Sequence, residues 1–150
     1  MRKYLQLVLL WAVVLVFAGS AGAEYYNEGH SGTAADPYVI DTNADLVMLR
    51  DRVNAGMELE DMYYRLTQNL NIAQYTDWTP IGDDDHPFAG HFDGNNLAIH
   101  VNIPYKDSKR SALFGTVSTI DNYAIKNLAV SGEVGGKYAA GIALQLNSGV

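Results

Sequence analysis

The residues of this chain that stand out as candidates for chemistry fall between positions 75 and 105. Asp83, Asp84 and Asp85, with Asp77 nearby, offer oxygen ligands of the kind a calcium ion takes, about six to eight at a time. Three consecutive aspartates cannot all face one ion without a special loop, and no glycine-spaced calcium pattern surrounds them. A solvated acidic turn accounts for them as well, so no metal is assigned and Asp83, Asp84 and Asp85 stand only as candidates. His91 and Asp93 flank Phe92; if Phe92 points inward, both point outward on one strand face. A histidine beside a carboxylate there suits acid–base chemistry or a metal. Asp93 is equally explained by the turn at Asp93-Gly94-Asn95-Asn96, and His100 falls on the polar side of Ile99, so no catalytic residue and no cofactor is assigned. Tyr75, Trp78 and Tyr105 are the candidate ligand-binding residues, because exposed aromatics suit carbohydrate or protein contact. The same side chains could instead pack the interior, and the pattern alone leaves both alternatives open.

These residues need a scaffold, and the stretch Phe88–Ile103 shows its unit: an apolar strand start, a Gly-Asn corner and a second alternating strand. Gly90 is matched by Gly115 and then by Gly141, and Ile99 is matched by Ile125. Leu66 stands in the same relation to Phe92. A near-constant step of about 25 residues suits a solenoid, whose coils bury their faces only against neighbouring coils. The expected fold is all-β, a parallel β-helix or β-solenoid of about two and a half coils, with the last coil unfinished at residue 150. Tyr63–Ile72 reads as the first strand pair and Trp78–Gly82 as a further strand. The asparagines read as corner residues that can stack into amide ladders.

One helix precedes the repeats. Thr42 or Asn43 can cap it, Asp45 puts negative charge in its first turn, and Leu46, Leu49 and Val53 share a face before Asn54-Ala55-Gly56 stops it. It reads as the cover for the first coil, since an open sheet edge recruits other chains. The organisation is then a leader at 1–23, a flexible lead-in at 24–35, an N-terminal cap at 36–62 and repeats at 63–150.

The leader has the form of a secretory signal: Arg2 and Lys3, an apolar run from Leu7 to Phe17, then small residues with cleavage expected after Ala23. The mature chain would be secreted or on the cell surface, with membrane contact only during export. Without Arg2 and Lys3 it holds 8 basic residues (10 − 2) against 17 acidic ones. That balance excludes nucleic acid and anionic membrane surfaces as partners. The absence of cysteine excludes disulfides, thiol catalysis and zinc–thiolate sites.

Eight segments taken in order resemble the GLUG-motif family of bacterial secreted and surface repeat proteins. They are Gly32-Thr-Ala-Ala-Asp-Pro-Tyr-Val-Ile40, Val53-Asn-Ala-Gly56, Tyr64-Arg-Leu-Thr-Gln-Asn-Leu70, Trp78-Thr-Pro-Ile-Gly82, Phe88-Ala-Gly-His-Phe-Asp-Gly-Asn95, Ala112-Leu-Phe-Gly115, Ile125-Lys-Asn-Leu128 and Tyr138-Ala-Ala-Gly-Ile142. The resemblance implies that the parallel β-helix or β-solenoid is right-handed and that the chain is an adhesin-like amino-terminal portion, and it carries no catalytic residue with it. The expected function is structural or adhesive, with no enzyme activity, presenting a repetitive surface to glycan or to a host or cell-surface protein. Self-association at the open carboxy-terminal coil is a further expectation. The alternatives are a polysaccharide-degrading lyase or hydrolase on a parallel β-helix, and a truncated fragment of a larger adhesin-like protein without function of its own. An enzyme would need carboxylates or basic residues on successive coils of one lateral face; about one coil beyond Asp83–Asp85 stand Ser108, Lys109 and Arg110 instead.

Overall fold

The computed structural model describes residues 29–57, 60–105, 110–119 and 124–148. The leader at 1–23, the start of the lead-in, Ser108 and Lys109 lie outside these residues. In chain order the elements are β1 (Tyr38–Ile40), α1 (Asn43–Asn54), β2 (Tyr63–Leu66), β3 (Leu70–Asn71), β4 (His91–Ile103) and β5 (Arg110–Ser111). They continue with β6 (Phe114–Thr119), β7 (Ile125–Val134), β8 (Tyr138–Ala139) and β9 (Ala143–Ser148). The chain is mostly strand with one helix, in line with an all-β expectation. Trp78–Gly82 does not form a strand; only Ile81 makes an isolated bridge, to Phe114. No helix among the described residues is long and apolar enough to cross a membrane.

Every ladder among the described residues is parallel. One sheet runs β1-β2-β4-β7, with β3 also on β4; β5 pairs β8, and β6 pairs β9. Parallel neighbours need long return connections, so no strand pairs with a hairpin partner. The register departs from a constant step. Tyr38 lies beside Tyr64, Tyr64 beside Phe92 and Phe92 beside Ile125, so the spacing between partners grows from one strand pair to the next. Ile99 therefore stacks on Val130 rather than Ile125, and Leu66 on Ile40 rather than Phe92. Strand register is set by keeping apolar residues on the inner face, while connections of unequal length absorb the extra residues.

The inner faces close on one core of Ile40, Tyr64, Leu66, Ile81, Phe92, Ile99, Val101, Leu113 and Phe114, all at most 1% exposed. Aromatic rings cross it in sequence: Tyr64 to Phe88 at 5.9 Å, Phe88 to Phe114 at 5.2 Å and Phe114 to Phe92 at 5.4 Å between centroids. Ring pairs at these distances add to the stability their buried area provides. The corner at Gly94–Asn96 forms as expected, with Asn95 and Asn96 both at positive φ. Among the described residues the asparagine amides bond to other groups rather than to one another. Asn95 donates to the Leu66 carbonyl, and Asn69 accepts the Ala98 N–H.

Helix α1 covers one end of this core. Thr42 caps it, accepting the Asp45 N–H, and the buried Asp45 carboxylate accepts from the Asp41 and Thr42 N–H groups and the Thr42 hydroxyl. This reciprocal capping stops the chain at the turn after β1 and starts the helix. Leu46, Leu49 and Val53 then face the core. Asparagines near the two ends tie the helix to the loop after β3: Asn43 donates to the Asn71 carbonyl, and Asn54 joins the Pro80 carbonyl and the Gly82 N–H.

Gly115 stacks on Gly82 of the neighbouring layer, not on Gly90; a Cβ there would stand 2.1 Å from the Gly82 carbonyl oxygen. That nearest atom is backbone and cannot swing aside as the end of a flexible side chain could. Gly115→Ala is therefore expected to destabilise the chain by about 2–3 kcal/mol, read as a shift in urea midpoint. The register has its own check, since the chain contains no cysteine. Parallel partners stand roughly 4.8 Å apart, within disulfide reach. His100→Cys with Ser131→Cys should cross-link under mild oxidation, and His100→Cys with Lys126→Cys should not.

Candidate functional site

The acidic run after Gly82 does not converge on one point. The Asp83 carboxylate accepts the N–H groups of Asp85 and His86 at 3.0 and 2.7 Å and closes its own turn. Asp84 reaches the next layer, where the Arg110 guanidinium and the Thr116 hydroxyl each donate to it at 2.7 Å. Those two bonds, Arg110 first, hold the Asp84 carboxyl below the usual carboxylate range. Arg110 comes about one winding after Asp84 in the chain, so the basic residue expected to disfavour an acidic site is in fact an ion-pair partner. Among the described residues no group of three or more His, Cys, Asp or Glu side chains is placed to hold a metal ion.

The aromatic candidates divide. Trp78 is 4% exposed; its indole N–H donates to the Leu113 carbonyl at 3.2 Å, and the Arg50 guanidinium lies over its ring. Tyr75 is half-buried, edge-on to Trp78. Both pack the seam under α1, so for Trp78 the interior alternative holds. Tyr105 projects into solvent at 62% exposure, as does Tyr138 at 61%.

The outer face of β2, β4 and β7 gathers the richest chemistry. Tyr63 lies beside His91, and the two rings stack at 4.3 Å and 21°. Further along the same strands, Arg65, Asp93 and Lys126 stand side by side on three neighbouring strands. The Asp93 carboxylate is 3.9 Å from the Arg65 guanidinium and 3.5 Å from the Lys126 ammonium, and also accepts from the Asn95 N–H and the Asn127 amide. Between the two columns runs a groove of about 140 Å³, with Ala34 and Pro37 at its end. His91 and Asp93 thus share the outer face as expected, but His91 is 6% exposed rather than open. His100 stands beyond the Gly94–Asn96 corner, against the Ser131 hydroxyl at 3.1 Å, and takes no part in the row.

Arg65 and Lys126 escape a reading at constant step. The step from Gly115 to Gly141, applied to either side of Asp93, lands on Thr67 and Thr119. Apolar alignment at the unequal steps of the inner residues, Tyr64 under Phe92 under Ile125, would have placed them.

Burial alone would raise the Asp93 carboxyl. The bonds from Asn95 and Asn127 and the charges of Lys126 and Arg65 outweigh it and hold the group below its ordinary value of 3.8. A carboxyl depressed in the folded chain contributes stability that is complete above that ordinary value and is lost as pH falls through the lower, folded one. Asp93→Asn is expected to cost about 1 kcal/mol at pH 7. The difference from wild type should shrink below pH 3.8, as read by urea denaturation across an acid series.

No family model matches the chain, and no solved structure matches it. It is similar to a protein of Evansella cellulosilytica described as a Gly-rich membrane protein, 32% identical over 111 residues, covering 70% of this chain and 12% of that protein. It is also similar to the halomucin of Haloquadratum walsbyi, 29% identical over 114 residues, covering 67% of this chain and 1% of that protein. The chain thus spans only a small part of either relative.

Proposed function

We propose that this chain is a segment of an exported cell-surface repeat protein of the GLUG-motif type, with a structural and adhesive role rather than a catalytic one. Its parallel ladders would be successive windings of a right-handed β-solenoid, with α1 as the cap at one end. The observation that carries the reading is the stacking of inner residues on partners a whole winding away in the chain, around one shared core. A chain that builds its core from neighbours one winding away can be lengthened by adding windings, which suits a repetitive surface. The names of the two relatives, a membrane protein and a halomucin, support a place at the cell envelope. So does the tripartite leader at 1–23.

The β7–β9 side fits self-association or further windings. Val130 and Val134 are half-buried where Ile99 and Ile103 beneath them are fully buried, and Ile142 and Leu146 are 38% and 73% exposed. The polysaccharide-degrading alternative gains one feature, the charged row on successive strands of a lateral face. That row holds a single carboxylate, whereas glycoside hydrolysis ordinarily takes a pair.

The reading is tested by expressing residues 1–150 in a bacterial host and following the product by mass spectrometry and protease accessibility on intact cells. The expected product begins at Glu24 and lies outside the cytoplasmic membrane. A product that keeps residues 1–23 and stays in the cytoplasm would overturn the surface assignment.

A further inference from the structure

We infer that a trough along the outside of β5 and β8 is a binding site for a neutral polysaccharide, held by the Asp84–Arg110 pair and the exposed ring of Tyr138. The inference deepens the surface reading above and rests on it for its biological setting, while the binding itself depends only on the trough.

Two cavities meet at Arg110, which lines both. One, of about 270 Å³, has Trp78, Pro80, Gly82 and Gly115 in its wall. The two glycines bring no side chain to it, so backbone and the Pro80 ring make a bare, largely apolar shelf. The other, of about 690 Å³, has Tyr138 in its wall. Tyr138 is the strand partner of Arg110, and Ser111, the next residue along, is buried. Alternation along the strand therefore turns Arg110 and Tyr138 to the outer face together. Asp84, Arg110 and Tyr138 thus follow one another across three neighbouring stretches of chain.

The ion pair is arranged for hydroxyl groups. Arg110 and Thr116 both donate to the same Asp84 oxygen, Oδ1. Among the described residues the second oxygen, Oδ2, accepts no hydrogen bond, and the Arg110 guanidinium donates to no other group. The Arg110 and Asp84 side chains are 46% and 61% exposed, so both remain open to a ligand while each holds the other in place. A fixed acceptor beside fixed donors matches two adjacent hydroxyls, one donating and one accepting. Tyr138 supplies an apolar ring alongside, and the Lys137 ammonium, 5.8 Å from its centroid, adds a further donor. A sugar ring carries both complements, hydroxyls at its rim and C–H groups on its faces. The charges favour a neutral chain. A polyanion would meet Asp83 and Asp84, and a polycation would meet Arg110 and Lys137; like charges brought together cost binding. The direction of the trough favours a saccharide over a peptide. A peptide ordinarily adds a strand along a free edge, and here that edge would be β8. The trough instead crosses the strands, from Pro80 past Arg110 to Tyr138.

The test applies the purified 1–150 chain to an array of neutral oligosaccharides, acidic oligosaccharides and short neutral peptides, then measures the tightest neutral oligosaccharide by calorimetry. The expected result is saturable binding of neutral oligosaccharides, with weaker binding of acidic ones and of peptides. Tyr138→Ala and Arg110→Gln should each weaken it about tenfold, the loss of one ring contact or one charge-assisted contact. Tyr138→Phe, which keeps the ring, should retain it. Arg65→Gln, a cation on the β2–β4–β7 sheet, should leave it unchanged, and circular dichroism should show all variants folded. No neutral oligosaccharide bound by the folded wild type, a preference for acidic oligosaccharides or peptides, or binding indifferent to Tyr138→Ala and Arg110→Gln would each overturn the inference. If binding holds while export fails, the trough stands and the surface reading falls; if export holds without binding, the reverse.

Discussion

Among the described residues each strand is held by a parallel partner far along the chain, and the rest of the structure depends on that. A hairpin closes on its own residues, whereas Ile40, Leu66, Ile99 and Val130 have no ladder until a distant stretch of chain lies beside them. The long-range pairing gives all inner faces one shared interior. It also makes close backbone approaches unavoidable, and glycines stand where they occur: Gly115 over Gly82, and Gly94 against the backbone of Asn127 and Leu128. The absence of cysteine means that no disulfide helps to hold this arrangement.

The two ends of the core differ in how their apolar faces are handled. At one end α1 lays Leu46, Leu49 and Val53 over the first layers and is tied down by Asn43 and Asn54. A carboxylate as buried as Asp45 is tolerable there because three donors from Asp41 and Thr42 surround it. At the other end, β7 and β9 each have one strand neighbour among the described residues, and their apolar residues stay partly exposed. The asymmetry leaves one end of the core covered by a helix and the other end partly open.

The outer surface inherits the same stacking. Whatever the inner residues align, the residues beside them align too, so Arg65, Asp93 and Lys126 form a row because Tyr64, Phe92 and Ile125 do. A row of charges across parallel strands is thus a by-product of core register.

Much of this was legible in the residues. The strand-rich class, the helix with its Thr42 cap and Asp45, the inward face of Phe92 and the Asn95-Asn96 corner all follow from local rules of period, capping and positive φ. These depend on a few neighbouring residues and carry through unchanged. The partners of each strand do not. A constant step paired Ile99 with Ile125 and hid Arg65 and Lys126 from Asp93, because connections of different length make the windings unequal. Trp78 was likewise open between surface and core until α1 and Leu113 enclosed it. Local sequence settles what a segment becomes and which side of it is apolar; which distant segment lies beside it is a matter of filling one core, and that is decided only when all the windings pack together.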